Sequence, residues 1–464
     1  METNVESGPG TPERPLKVAI VGSGPSGFYA AEALFSSGVA VEVDMLERLP
    51  TPYGLVRYGV APDHAKLKSV TGVFATIARD PRFRLFGNVE LGHDIDIERL
   101  GAIYHAVIVA TGATADRQLG IEGEHLAGVH AASDFVGWYN GRPDVADLAF
   151  DLSQPTAVVV GQGNVALDVC RILARPVHEL GHTDIAEHAL RALKASRIQD
   201  IHLVGRRGPA QAKFTSRELR ELSTLEGWQL RVDPSDLALA AACQEELADP
   251  AHIHGAKNVA LLQACAAAPE RAGHRRIHLH FHAAPVALHG AGRLAEVELE
   301  AQALRGPAKA QQAIGTGRRR RIQAGLLLRS VGYRGTALPG LPFDPRLGVI
   351  PNEQGRVLDG GKVSRGAYVT GWIKRGPTGI IGTNRTDSIE TVSTLLADRT
   401  TFELDRPGRT ALAAHLDAAG RRVVSFEHWL CIEREEARRG AMLQKTAEKF
   451  TTIAAMLAAT ELAS

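Results

Sequence analysis

Apolar residues in this chain gather in short runs separated by stretches of helical character. Residues 18–21, 106–109 and 157–160 are runs of this kind, and 41–46 and 201–204 are strand-like segments that follow two of them. Their length and β-branched content predict buried strands. Strand and helix patterns alternate along the chain, which predicts an α/β fold. Residues 234–272 are alanine-rich and read as helical, and 275–299 read as alternating strands. Residues 425–463 predict an amphipathic helix packed on the body of the protein.

Two of the strand-like runs end in glycine-rich turns that open onto helices. The first turn is Gly22-Ser23-Gly24-Pro25-Ser26-Gly27 and the second is Gly161-Gln162-Gly163-Asn164-Val165-Ala166. In a dinucleotide-binding turn the first glycine makes the bend, the second admits a pyrophosphate and the third lets helix and strand pack closely. Gly22, Gly24 and Gly27 fill these roles in the first turn, and the helix N-terminus behind them suits phosphate charge. The strand after the first turn ends in Glu47, 20 residues past Gly27, where an acid accepts hydrogen bonds from ribose hydroxyls. The strand after the second turn ends in Gly205-Arg206-Arg207, which suits a 2′-phosphate instead. The chain is thus expected to hold FAD at the first site and NADPH at the second. Ala166 stands in the place of the third glycine, a variation compatible with NADP.

The run at 106–109 leads into a small-residue turn, and Gly366–Trp372 reads as a matching element late in the chain. The expected fold class is therefore α/β with two Rossmann-like dinucleotide-binding domains, the NADP domain being inserted into a split FAD domain. The expected boundaries are a disordered tail at 1–15, FAD domain at 16–112, NADP domain at 113–330, and the rest of the FAD domain with C-terminal helices at 331–464.

Composition adds little beyond this. With 464 residues, 44% hydrophobic content and a formal charge of +1, the chain suits two or three ordinary globular domains and gives no sign of nucleic-acid binding. No apolar run approaches the roughly 18–20 residues that span a bilayer. The N-terminus lacks the apolar core of a secretory signal, so a cytoplasmic location is expected. Cysteine usage is more telling. Cys170, Cys243, Cys265 and Cys431 form no C-x-x-C pair, which excludes electron transfer through a local dithiol and an iron–sulfur cluster of this chain's own. His274, His278, His280 and His282 alternate as on one strand face, and no metal site is expected.

Further candidates lie in loops. Residues 53–64, Tyr-Gly-Leu-Val-Arg-Tyr-Gly-Val-Ala-Pro-Asp-His, are dense in special residues and are expected to shape a flavin pocket, with His64 as proton donor or hydrogen-bond anchor. Thr215 and Glu218 have the spacing of a capping box, and Glu218 shares a helical face with Glu221, so both are candidates for the nicotinamide cleft. Gly379, Ile380 and Ile381 precede a helix and can offer backbone N–H groups to a flavin ring. Trp372 follows Gly371, where disulfide-reductase-type flavoproteins carry an Asp. Arg318–Arg321 follow Gly315-Thr316-Gly317, read as a hairpin tip.

Together these segments resemble adrenodoxin-reductase-type NADPH–ferredoxin reductases, in particular their actinobacterial FprA-like branch. The resemblance runs from about Leu16 into the C-terminal helix and is strongest at 46–69, 161–168, 205–222 and 371–384. It implies hydride transfer from NADPH to FAD, then single-electron transfer to an iron–sulfur ferredoxin. It implies His64, Glu221 and Trp372 around the flavin–nicotinamide contact. Ser26, Glu47, Leu55, Trp372 and Gly379–Ile381 would contact FAD, with a main-chain contact at Glu90. Gln162, Gly163, Asn164, Val165, Arg206, Arg207, Glu218 and Gly379 would contact NADP. Arg275 and Arg276, in a stretch that also matches the family, are expected to dock the acidic ferredoxin, while Arg318–Arg321 read better as a solvated edge. A monomer is expected. The rival readings are an NADPH oxidase or quinone reductase of diaphorase type, and an electron-entry subunit of a larger complex.

Overall fold

The computed structural model describes residues 8–461. The chain divides into two compact units. Among the described residues, one comprises 8–60, 64–115 and 333–461; the other comprises 61–63 and 116–332.

The first unit is built on a seven-stranded sheet. The strands Lys362–Val369, Ala106–Val109, Leu16–Val21, Val41–Glu47 and Phe83–Gly87 lie side by side in that order, all parallel. Arg356–Asp359 and Asn352–Glu353 extend the edge in antiparallel fashion. The buried faces of Leu16–Val21 and Ala106–Val109 explain their unbroken apolar character, since a parallel sheet is covered on both sides. Strand order reverses between Leu16–Val21 and Ala106–Val109, and ligands of such sheets bind at the carboxyl ends of the strands at that reversal. The helix Pro25–Phe35 packs on helix Thr383–Asp398. At the C-terminus there are two helices, Phe426–Met442 and Ile453–Ala459, rather than one. Phe426, Trp429, Ile432 and Met456 join the core with Phe28, Tyr53 and Phe74.

The N-terminal tail is only partly as expected. Residues 1–7 lie outside the described residues, but 8–15 are not disordered. Arg14 N–H donates to Thr11 C=O at 3.1 Å, and Ala40 N–H donates to Gly10 C=O at 3.1 Å, tying this turn to the first sheet. Pro9 is buried, which supplies the apolar contact that polar composition hides.

The second unit holds a six-stranded parallel sheet in the order Val129–Ala131, Leu326–Arg329, Thr156–Val160, Asp200–Val204, Arg275–His280, Trp228–Val232. Its order also reverses beside the strand that leads into a glycine turn. A three-stranded antiparallel sheet, Ala283–His289, Glu296–Arg305 and Gln312–Gln323, completes it. Gly315-Thr316-Gly317 are not a hairpin tip. They lie inside the strand Gln312–Gln323, at a register irregularity opposite Glu300–Gln302; the turn falls at 306–311 instead. Among the described residues no helix is long and apolar enough to cross a membrane.

Candidate dinucleotide sites

In the first unit the strand Leu16–Val21 passes directly into the turn at Gly22, which has φ +106°. A Cβ there would sit 2.7 Å from the carbonyl oxygen of Ala110, on the neighbouring strand's exit. A Cβ on Gly27 would sit 2.2 Å from the carbonyl oxygen of Gly22. Both positions are thus closed by the protein's own backbone. Gly24 is different, because a Cβ there would meet nothing within 4 Å. Gly24 also caps the helix Pro25–Phe35, which has no side-chain cap and no acid in its first turn. The open cradle and the helix-end N–H groups suit a pyrophosphate.

Glu47 lies against this turn. Its Oε2 accepts from Ser23 Oγ at 2.6 Å and from Ser23 N–H at 3.2 Å, and its Oε1 accepts from Leu49 N–H at 3.0 Å. A carboxylate has about four lone-pair sites, so Glu47 braces the turn and retains acceptor capacity. Tyr53 N–H donates to Ser23 C=O at 3.0 Å, laying the loop before Leu55 on the same turn. Leu55 then starts the short helix Leu55–Tyr58 and is half-buried.

The late segment converges here too. Gly371 has φ +77°, and a Cβ on it would lie 2.2 Å from Ser26 Oγ. Ser26 Oγ donates to Asn384 Oδ1 at 3.1 Å, and Ser388 Oγ donates to Ser26 C=O at 2.9 Å. Gly371 N–H donates to Asp387 Oδ2 at 2.6 Å. Asp387 also pairs with Lys374 at 2.8 Å and Arg375 at 3.5 Å. An acid thus does lie beside Gly371, but it is Asp387 from the helix Thr383–Asp398 and it binds the protein's own groups. Sequence reading missed Asp387 and Ser388; their only signal was a position one to two turns into the helix that follows 379–381. Trp372 is half-buried, donates from Nε1 to Thr378 C=O at 3.1 Å and lies 5.7 Å from the ring of Tyr333. Gly379 and Ile380 are exposed, Ile380 at 72%, and Ile381 packs against the core. The Ile380 N–H donates to Thr383 Oγ1 at 3.2 Å. Glu90 is exposed, and its N–H donates to Asp94 Oδ2 at 2.8 Å within a local turn. His64 is buried and begins the short helix Ala65–Lys68.

The second unit repeats the pattern. Gly161 has φ +146°, and a Cβ there would lie 2.3 Å from the carbonyl oxygen of Ser330. Gly163 again faces open space and caps a helix, Asn164–Ala174, that lacks a side-chain cap and a first-turn acid. Ala166 is fully buried, so the methyl is accommodated in the core. Gln162 Nε2 donates to Arg207 C=O at 3.3 Å, and Gln162 C=O accepts from Lys213 N–H at 2.8 Å, which holds the arginine loop beside the glycine turn. Val165 is half-buried. Arg206 is exposed and Arg207 half-buried, and among the described residues neither is in an ion pair. Two uncompensated guanidiniums beside an open phosphate cradle match a nucleotide carrying an additional phosphate.

The capping box forms only by half. Thr215 Oγ1 accepts from Glu218 N–H at 3.4 Å, but Thr215 N–H donates to Asn164 Oδ1 at 2.8 Å. The Glu218 carboxylate instead binds buried Arg171, because a desolvated guanidinium is a stronger partner than a backbone N–H. Glu221 is half-buried and accepts from Arg217 Nε at 2.9 Å.

Residues 16–202 match the family described as pyridine nucleotide-disulphide oxidoreductase. The chain is 45% identical to the NADPH-ferredoxin reductase FprA of Mycobacterium leprae, over 95% of this chain and 97% of that one. It is 42% identical to the mitochondrial NADPH:adrenodoxin oxidoreductase of Bos taurus, over 95% and 91% of the two chains. The solved structure of Mycobacterium tuberculosis FprA in complex with NADPH superposes with a TM-score of 0.92 at 42% identity, covering 97% of this chain and all of that one. The chain belongs to the NADPH–ferredoxin and adrenodoxin reductase family.

Although the broader family's description includes a disulphide, all four cysteines of this reductase-family chain are free. The arginines expected to dock a partner have partners within the chain. Arg275 lies over the Trp228 ring at 4.5 Å, and Arg276 pairs with Asp200 at 2.8 Å. Both lie in the strand Arg275–His280 rather than before it. Arg319 and Arg321 pair with Glu298 and Glu296, and Arg320 donates to His280 Nδ1 at 2.9 Å. The partners of Arg275, Arg276, Arg319 and Arg321 lie on adjacent strands, that of Arg320 on another sheet, and none was visible in the sequence.

Proposed function

We propose that this chain is an FAD-dependent NADPH–ferredoxin reductase, taking a hydride from NADPH onto FAD and delivering single electrons to an iron–sulfur ferredoxin. The observation that carries this reading is the pair of glycine turns, each closed at its first position and open at its second. One is braced by Glu47 and the other flanked by unpaired Arg206 and Arg207. Bound flavin supplies the chemistry of accepting two electrons together and releasing them one at a time.

The chain's own residues do the binding and alignment. Gly24 and Gly163 leave room for the two pyrophosphates, and the helix ends beneath them supply N–H donors. Glu47 is placed to take ribose hydroxyls, and Arg206 and Arg207 to take the 2′-phosphate. Ser26, Leu55, Trp372, Gly379, Ile380, Ile381 and the main chain of Glu90 complete the FAD contacts. Gln162, Asn164, Val165, Glu218 and Gly379 complete those to NADP. His64, Glu221 and Trp372 flank the reacting rings, and His64 and Glu221 tune them without acting as obligatory acids or bases, because hydride transfer moves no separate proton.

The partner is an acidic ferredoxin met by a monomer in the cytoplasm. Arg275 and Arg276 belong to its docking face; Arg276 keeps much of its surface while paired with Asp200. Steady-state assays with NADPH test the reading. Ferredoxin reduction should outpace quinone and oxygen reduction, and should fall with ionic strength as screening shortens to about 8 Å at 0.15 M salt. Faster quinone or oxygen turnover, independent of salt, favours the diaphorase reading instead.

A further inference from the structure

Buried charges are costly unless paired, and Arg57 with Glu436 is a buried pair of the first unit that lies outside both glycine turns. Arg57, on the short helix Leu55–Tyr58, donates from Nη2 to Glu436 Oε1 at 2.6 Å, with side chains 8% and 3% exposed. Glu436 lies on the C-terminal helix Phe426–Met442. The same Oε1 accepts from Phe450 N–H at 2.9 Å, so the carboxylate also ties down the segment after that helix.

The guanidinium also lies over two aromatic rings. Its carbon lies 5.0 Å from the centre of the Tyr58 ring and 4.9 Å from that of Trp429. Trp429 meets the Tyr53 ring edge-on at 5.8 Å. Tyr53 N–H in turn donates to Ser23 C=O, inside the first glycine turn. Tyr53 has φ +83°, and next to it a Cβ on Gly54 would stand 3.0 Å from the Gly24 Cα. A continuous set of contacts therefore joins Glu436 to the rim of the Gly24 cradle, through Arg57, Trp429 and Tyr53. An ion pair buried this deeply is weak evidence for stability, because desolvation offsets much of its attraction. Its geometric consequence is definite: it fixes the loop that stands against the open glycine.

We infer that Arg57 and Glu436 are a positioning pair, by which the C-terminal helix sets the Tyr53–Gly54–Leu55 loop against the first glycine turn and so governs how tightly FAD is held. This rests on the reading of that turn as the FAD site.

The test uses holoprotein as purified. It is diluted, the rise of free-flavin fluorescence gives the FAD release rate, and visible circular dichroism reports the setting of bound flavin. Glu436→Gln and Arg57→Met should each speed release by about tenfold or more, in keeping with loss of a charged hydrogen bond, and should alter the visible dichroism. The double variant Arg57→Met with Glu436→Leu removes both charges and should regain much of the melting temperature, while release stays fast. A pair serving stability alone would restore both together. If a single variant fails to fold, Arg57→Lys keeps the charge but loses the planar guanidinium, and should give intermediate release. Wild-type release in the singles or in Arg57→Lys overturns the proposal, as does joint recovery of melting temperature and release in the double. Wild-type protein that carries no releasable FAD overturns the FAD reading itself, and the proposal with it.

Discussion

Arg171 Nη1 donates to Glu218 Oε2 at 2.9 Å, and the Arg171 side chain is 1% exposed. The same guanidinium is paired with Asp63 and Asp168, each at 2.7 Å. One buried cation thus holds three carboxylates beside the helix that opens at the second glycine turn. Arg171→Met would leave those acids without their shared partner and should cost about 3–5 kcal/mol, read from the urea midpoint. Glu218→Gln removes one acid of three and should cost distinctly less. Equal losses in the two variants would show that Arg171 is not the hub.

Under the proposed function, Arg206 and Arg207 are the residues expected to set coenzyme choice. Changing both to Ala should raise KM for NADPH strongly while NADH turnover stays nearly unchanged, because NADH lacks the 2′-phosphate. With roughly 1.5–3 kcal/mol per charged hydrogen bond, the loss should reach at most a few powers of ten. An equal loss with both coenzymes would make these arginines structural.

His64→Gln should slow flavin reduction by about one to two powers of ten, the scale expected when alignment is disturbed. Bound FAD should remain at wild-type stoichiometry. Stopped-flow absorbance after mixing with NADPH measures both. Complete loss of reduction with FAD still bound would assign His64 an obligatory role.

Stability should fall with acid through a half-buried histidine stack. The rings of His202 and His278 are 4.6 Å apart, and those of His202 and His280 5.1 Å. Arg320 can only donate to His280 Nδ1, so neutral His280 carries its proton on Nε2 and donates to His202 Nδ1 at 2.8 Å. Burial pulls His202 down to about 4, helped by His278, and pulls His280 down to about 3, helped by Arg320. The unfolded chain protonates both near 6.5. The folded state is thus favoured in full above pH 6.5, and that advantage drains as pH falls toward 4, by roughly 1.4 kcal/mol per pH unit for each ring. His202→Phe should flatten the decline in melting temperature between pH 6.5 and 4. An unchanged slope would show that the ring protonates freely in the folded state.

The local grammar of the fold was readable from the sequence. The strands 18–21, 106–109 and 157–160 announced themselves because parallel strands covered on both faces must be apolar throughout, and Gly22 and Gly161 because a turn at a strand reversal leaves no space for a Cβ. The contrast between Glu47 and Arg206–Arg207 was equally local, since each lies at the end of the strand following its own turn. Tertiary structure alone decided which long-range partners those residues have. Glu218 turned from its own helix cap to Arg171, the acid beside Gly371 came from Asp387, and Arg276 went to Asp200 on the adjacent strand. Spacing along a chain sets which residues share a turn or a face. Which charge meets which depends on strand register and on how little water remains between them, and these exist only once the sheets have formed.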